Sequence, residues 1–314
     1  MLSRLLLIAT ALVLSCSRRK ATFDLDPCDE TPIEVRDVIR VGDSTVWIRT
    51  DDNQLWFFDL EAHRGAKRLR EDRVEALVRT SNGPVAIARR GNDLSAVSLV
   101  DEHRTPIATT DARVLAATAR GTRLVLVLAG GTLLSINDGV VTRIPVVELE
   151  PNGSTADVAI TDPDVWVMFQ GDHSPSKTFR VQGTTPHEIP RNKTCADERD
   201  LSCRFVDRLV ADGACVIALA RRSDDPRGRA IRVCPGATTS LDTPRGHRVE
   251  DVRPEGKGYW LVSNESMLAP DGPQPLPKTS KSCGVTVAHF DSMLLVRTGG
   301  GWRFAPELNP APTR

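Results

Sequence analysis

Aromatic side chains make up only 4% of this 314-residue chain, and Tyr259 is its one tyrosine. Surfaces that stack sugar rings or single-stranded bases draw on repeated aromatic platforms, so both ligand classes are disfavoured. Neither sign of charge is in excess, because 41 Lys and Arg face 41 Asp and Glu. The two signs are interspersed and no basic stripe stands out, so nucleic acid is not expected as a partner. Beyond the N-terminus there is no second long apolar run. No C-x-x-C pair or Cys/His cluster is spaced to hold zinc, and neither H-E-x-x-H nor G-x-S-x-G occurs. With 21 prolines and no amphipathic stretch longer than a turn or two, helices are not expected.

What the chain does have is a β-rich segment recurring about every 40 residues, a period that marks radial or solenoid repetition. Each copy has a valine-rich strand, a Gly or Asp turn, a second apolar strand and then a third. The second strands centre on Trp47, Ala86, Val125, Trp166, Val216, Trp260 and Leu295. One small sheet cannot bury both of its faces and must stack on neighbours. Units of this length with four strands predict an all-β fold, a β-propeller of seven blades, each a four-stranded antiparallel sheet, with six or eight as the alternatives. The GH and WD signatures of WD40 repeats are absent, so the architecture is expected without that family. Fourth strands such as Val140 to Ile144 and His187 to Ile189 are polar, as outer edges should be. Unit seven lacks an obvious fourth strand, and Thr22 to Leu25 is the segment expected to supply it. Trp47, Trp166 and Trp260 hold equivalent positions and read as core between blades; Trp56 and Trp302 fall in third strands.

The N-terminus carries a different signal. Met1 to Arg4 is short and basic, and Leu5 to Leu14 is apolar apart from Thr10. That run is too short to span a bilayer, which takes about 20 residues, but it suits the core of a signal peptide. It ends at Val13-Leu14-Ser15-Cys16, which resembles the lipobox of bacterial lipoproteins, although Leu14 departs from the usual small residue. The resemblance implies a signal peptide over 1–15, lipidation of Cys16, a linker over 16–21 and attachment to the membrane through the N-terminal lipid. Ser17 does not impose inner-membrane retention in that family, so an outer-membrane anchor is implied, facing the periplasm or the cell surface. The propeller is then expected over 22–308, with a tail over 309–314.

Six cysteines remain after Cys16, and an even number in an exported chain suggests disulfides. If Ala220 and Arg229 pair across a hairpin, Cys215 and Cys234 face each other, five residues further out on each strand. Cys195 with Cys203 would close a small charged loop. Cys28 with Cys283 would then join the N-terminal segment to unit seven.

Catalytic strings occur but lack context. Gly42-Asp43-Ser44 reads as a tight turn. Ser174 to Lys177 fits S-x-x-K, yet Pro175 sits in a polar loop instead of a buried helix. His63, His103, His173, His187, His247 and His289 scatter over the units and mostly in turns. Asp157, Asp207, Glu250 and Asp251 lie on inner strands without a repeated pattern. No cofactor or metal is expected. The reading is a non-catalytic module that binds or scaffolds an envelope protein or peptide; the alternative is a hydrolase or lactonase with carboxylates at the axial channel. Loops from strand two to three, and from strand four to the next blade, share one face of a propeller. The longest are Gln170 to Lys177, Arg191 to Ser202 and Arg221 to Gly228. They bring Asp172, His173, Lys177, Arg199, Arg221, Arg222, Asp224, Asp225 and Arg227 to a candidate recognition surface.

Overall fold

The computed structural model describes residues 35–304 except 42–44, 51, 60–63, 70–71, 150–153, 171–175, 190–204, 223–224, 242–248, 256–257, 264–265, 270–271, 276–285, 291–292 and 299–300. Blade one comprises β1 (Val35–Arg40), β2 (Thr45–Thr50), β3 (Leu55–Asp59) and β4 (Arg64–Arg68). Blade two follows with β5 (Arg73–Thr80), β6 (Gly83–Arg90), β7 (Asp93–Ser98) and β8 (Arg104–Thr109). Blade three has β9 (Val114–Arg120), β10 (Arg123–Leu128), β11 (Thr132–Asn137) and β12 (Val140–Pro145). Blade four has β13 (Thr155–Ile160), β14 (Val165–Gln170), β15 (Lys177–Gln182) and β16 (Thr185–Glu188). Blade five has β17 (Phe205–Asp212), β18 (Cys215–Arg222), β19 (Asp225–Cys234) and β20 (Ala237–Ser240). Blade six has β21 (Val249–Glu255), β22 (Gly258–Ser263), β23 (Ser266–Ala269) and β24 (Gly272–Pro275). Blade seven has β25 (Thr286–Phe290), β26 (Met293–Thr298) and β27 (Gly301–Phe304).

Every blade is an antiparallel meander with its strands in sequence order, and among the described residues blade seven alone has three strands. All seven expected second-strand centres fall within the second strands. The inner strands touch in order around the axis, β1 to β5, β9, β13, β17, β21 and β25, and β25 returns to β1. The ring is therefore closed, which leaves no exposed broad face on any blade. Among the described residues no helix is long and apolar enough to cross a membrane. Thr22 to Leu25, and with it the expected fourth strand of blade seven, lies outside the described residues.

Alternation along the second strand explains how the blades hold together. Successive side chains of a strand point to opposite faces, so one strand can serve two interfaces. In β10, Leu124, Leu126 and Leu128 pack with Ile87 and Leu94 of blade two. Val125 and Val127 pack the other way, against Val165, Val167 and Phe169 of blade four. In β18, Val216 and Ala218 join Trp166 and Met168 of blade four, whereas Ile217 and Leu219 join Val252 and Leu261 of blade six. Trp47 is buried between blades one and two, and Trp166 between four and five, as their equivalent positions imply. The outer strand β12 is exposed, with Val140 68% accessible.

The tight approach at Gly131 links the face of blade three to its exit. Its φ is +85°, and a Cβ there would lie 2.0 Å from the Val147 carbonyl oxygen, so only glycine fits.

In blade five the register pairs Ala220 with Arg229 and Val216 with Val233, which sets Cys215 opposite Cys234. The two form a disulfide with an S–S distance of 2.11 Å and Cα atoms 4.3 Å apart. The hairpin also runs further than the sequence suggests. The stretch expected to be a loop, Arg221 to Gly228, is mostly strand, because pairing resumes at Arg222 and Asp225 after a bulge. Cys16, Cys28, Cys195, Cys203 and Cys283 lie outside the described residues. Replacing Cys215 and Cys234 by Ser should lower stability by about 3 kcal/mol on the loop-entropy model. Urea melts of the oxidised protein and the double variant measure this, and non-reducing peptide mapping checks all three proposed bridges.

Candidate functional site

The inner strands carry a repeated carboxylate. In five of the seven, the third residue is acidic: Asp37 in β1, Glu75 in β5, Asp157 in β13, Asp207 in β17 and Asp251 in β21. The sequence reading saw no pattern among Asp157, Asp207, Glu250 and Asp251, and the structure corrects it. Only the strand boundaries bring these residues into one frame, and Asp37 and Glu75 complete the series. The same strands are bulged at this level in blades one, two, five and six. A bulge disturbs the ladder and leaves backbone groups in need of other partners.

Three of these carboxylates reach the next blade. The Leu77 amide donates to Asp37 Oδ2 at 3.2 Å, and the Val114 amide to a Glu75 oxygen at 2.8 Å. The Leu209 amide donates to Asp157 Oδ2 at 2.8 Å. Each bond crosses from one inner strand to its neighbour, so the carboxylates act as latches between blades around the axis. Two have an arginine from the second strand of their own blade. Arg49 Nε donates to Asp37, and Arg49 Nη1 also donates to Asn53 Oδ1 at 3.1 Å. Arg89 grips both oxygens of Glu75, at 2.7 and 3.0 Å, and donates to the carbonyls of Thr110 and Ala112.

Blade four differs. Met168 stands opposite Asp157 in the register, so no arginine of its own blade is there. Arg208 of β17 supplies the nearby positive charge, and it also feels Asp37 of blade one. Burial pushes the Asp157 carboxyl above its ordinary pKa, opposed by Arg208 and by the amides of Leu209 and Val158. Burial likewise holds the Arg208 guanidinium below its ordinary value, against the pull of Asp157 and Asp37.

Of these residues, Arg49, Asn53, Glu75 and Val114 line a cavity of about 320 Å³ at one mouth of the axial channel. It opens on the face where inner strands begin and second strands turn into third strands. Arg36, Arg73 and Thr155 come from the starts of β1, β5 and β13, and Arg113 directly precedes β9. Arg49 comes from the end of β2 and Asn53 from the turn after it. Four arginines line it against one carboxylate, Glu75, which Arg89 holds at 2.7 Å and Arg73 approaches at 3.8 Å. Directly before β5, the buried Asp72 is held by Arg90 at 3.1 Å and Arg104 at 2.6 Å. The mouth therefore presents hydrogen-bond donors, because its nearby acids are engaged within the protein. The sequence did not single out these arginines, because they are spread from 36 to 113 in a chain of zero net charge.

The opposite face is built from different pairs. Arg180 donates to Asp164 at 2.6 Å and lies over the Trp166 ring at 5.9 Å. Arg232 donates to Asp212 at 2.6 Å, and the Tyr259 hydroxyl of blade six donates to the same oxygen at 3.3 Å. Burial, and then the Asp212 charge, raise the Tyr259 pKa, so it stays protonated as a donor.

Of the residues expected at a recognition surface, Lys177 is exposed at the start of β15. Arg221 and Arg222 end β18, and Asp225 and Arg227 lie in β19. Asp172, His173, Arg199 and Asp224 lie outside the described residues. The turn from β14 to β15 joins second and third strands, as does the β2–β3 turn at the cavity, so Lys177 and Asn53 share one face. Among the described residues, no three His, Cys, Asp or Glu side chains gather closely enough to hold a metal.

No protein-family model matches this chain, and no curated protein matches it in sequence. Solved structures share its fold at low identity. YCF48 from Cyanidioschyzon merolae superposes with a TM-score of 0.58 at 12% identity, covering 91% of this chain and 99% of that one. A YCF48 structure bound to D1 peptide gives 0.57 at 12% identity, over 93% and 96% of the two chains. The WD40 β-propeller domain of Doa1 gives 0.56 at 14% identity, over 91% and 95%. At such identities the likeness establishes the propeller fold alone.

Changing Glu75 to Gln strands the buried Arg89 charge and weakens the bond to Val114. It should cost roughly 3 kcal/mol, measured by urea melts. Asp157 supplies a pH signature. Because its folded pKa is raised, its contribution to stability is fully present below the ordinary carboxylate pKa and is lost as pH rises through the folded value. Asp157→Asn should therefore gain stability relative to the parent across that window, read as the difference between their melts from about pH 3 to 7.

Proposed function

We propose that this protein is a non-catalytic binding module of the bacterial envelope that holds a protein or peptide segment over the arginine-lined mouth. The observation that carries this reading is the engagement of Asp37, Glu75 and Asp157 in latches between blades. A hydrolase at the axis needs carboxylates free to move protons or bind a metal, and these three are committed to backbone amides. The arginines that line the mouth suit recognition of acceptor groups. A propeller of the same fold, YCF48, has been solved with a D1 peptide bound, which supports peptide binding as a use of this architecture.

The proposed surface extends on the same face to Lys177 at the start of β15 and to Arg221, Arg222, Asp225 and Arg227 in the β18–β19 hairpin; Asp172, His173, Arg199 and Asp224, expected beside them, lie outside the described residues. The Cys215–Cys234 bridge supports an oxidising compartment, in keeping with a lipidated Cys16 and an outer-membrane anchor. A photo-cross-linking residue at Leu115, in the cavity wall, should trap one defined partner in intact cells. The same residue at Val140, on the outer strand, should not. Cys16→Ser should move the protein from the membrane to the soluble fraction. Equal trapping at both positions, or none at Leu115, would sink the reading.

A further inference from the structure

We infer that the mouth of the axial channel recognises peptide carboxylates: it is a site for an acidic or carboxylate-terminated chain segment. This inference rests on the binding-module reading and adds the chemistry of its ligand. Arg49, Arg73 and Arg113 line the cavity from three consecutive blades instead of lying along one strand. Arg49 is 14% exposed and is held in place by Asp37 and Asn53, so its orientation is set before a ligand arrives. Arg73 and Arg113 are exposed and flank it, Arg73 with its Nε 3.8 Å from the Glu75 carboxylate. Planar guanidinium forks match a carboxylate with two parallel hydrogen bonds, and pre-ordering lowers the cost of binding.

The remaining lining separates a peptide from other anions. Val114 and Leu115 offer apolar wall, while Asn53 and Thr155 offer polar groups suited to a backbone amide. The volume falls at the lower end of ligand clefts, about 300–1,000 Å³. It admits a chain end or a short extended segment and excludes a folded domain. The whole protein has no net charge, so attraction of an anionic segment comes from this local cluster.

Fluorescence anisotropy on the full chain in nonionic detergent tests the idea with four labelled Gly/Ser octapeptides. One pair carries three Glu, with a free or an amidated C-terminus. The other carries Gln at those positions, again free or amidated. The carboxylate-bearing peptides should bind, the amidated Gln peptide should not, and affinity should fall as NaCl rises from about 50 to 300 mM. If the amidated Glu peptide binds, side-chain carboxylates suffice; if only free-ended peptides bind, the terminal carboxylate is read. Reversing Arg73 and Arg113 to Glu should weaken binding about tenfold or more, while Arg143→Glu on the outer strand of blade three should not. Arg73→Gln with Arg113→Gln gives a milder pair, with melting temperature confirming the fold. Equal binding of all four peptides, no binding of any, or affinity unmoved by both arginine pairs would overturn the inference. A defined cross-link at Leu115 in cells would still stand in those outcomes, so failure here is distinct from failure of the binding-module reading.

Discussion

A four-stranded sheet of this size has two apolar faces and no means to bury both, and the rest of this structure follows from that constraint. Each blade is covered by the blades on either side, and the second strand sits where the two interfaces meet. In β10 and β18, alternate side chains belong to different hydrophobic clusters. Loss of packing on one face therefore propagates to the neighbouring blade. Closure from β25 to β1 removes the one place where the stack would otherwise end.

Packing alone leaves a polar problem at the axis. Inner strands converge there, their ladders are bulged, and amides near the bulges need acceptors. Asp37, Glu75 and Asp157 meet that need across blade boundaries. Placing carboxylates there demands positive charge nearby, which Arg49 and Arg89 provide within their blades. Where Met168 takes the arginine's place, Arg208 comes from the next blade, and the Asp157 carboxyl moves above its ordinary pKa. The arginine excess at the mouth stands beside this latch system: acids turn inward to the backbone while guanidinium groups reach the opening.

The second-strand centres from Trp47 to Leu295 were legible because burial on both faces makes those strands nearly continuous apolar runs. The Cys215–Cys234 pairing was legible because antiparallel register conserves the sum of paired residue numbers. The extent of the blade-five hairpin was not. Arg221 to Gly228 is charged and looks like a loop, yet paired strands carry it. The acidic third residue of the inner strands was also missed. A single Asp or Glu per repeat means little until bulges and strand starts set its frame.

Residue types and their period determined an all-β repeat, the count of second strands and the position of the bridged cysteines, because these depend on local alternation and short-range register. The N-terminal motif alone supplies the reading of export and lipid attachment. Tertiary structure decided which charges meet. Asp37 and Leu77, or Asp157 and Arg208, lie 40 or more residues apart and come together only because consecutive blades pack side by side. Arg49, Arg73 and Arg113 line one cavity for the same reason: they come from the end of β2, the start of β5 and the residue before β9, and only radial packing brings those strand ends to a common mouth.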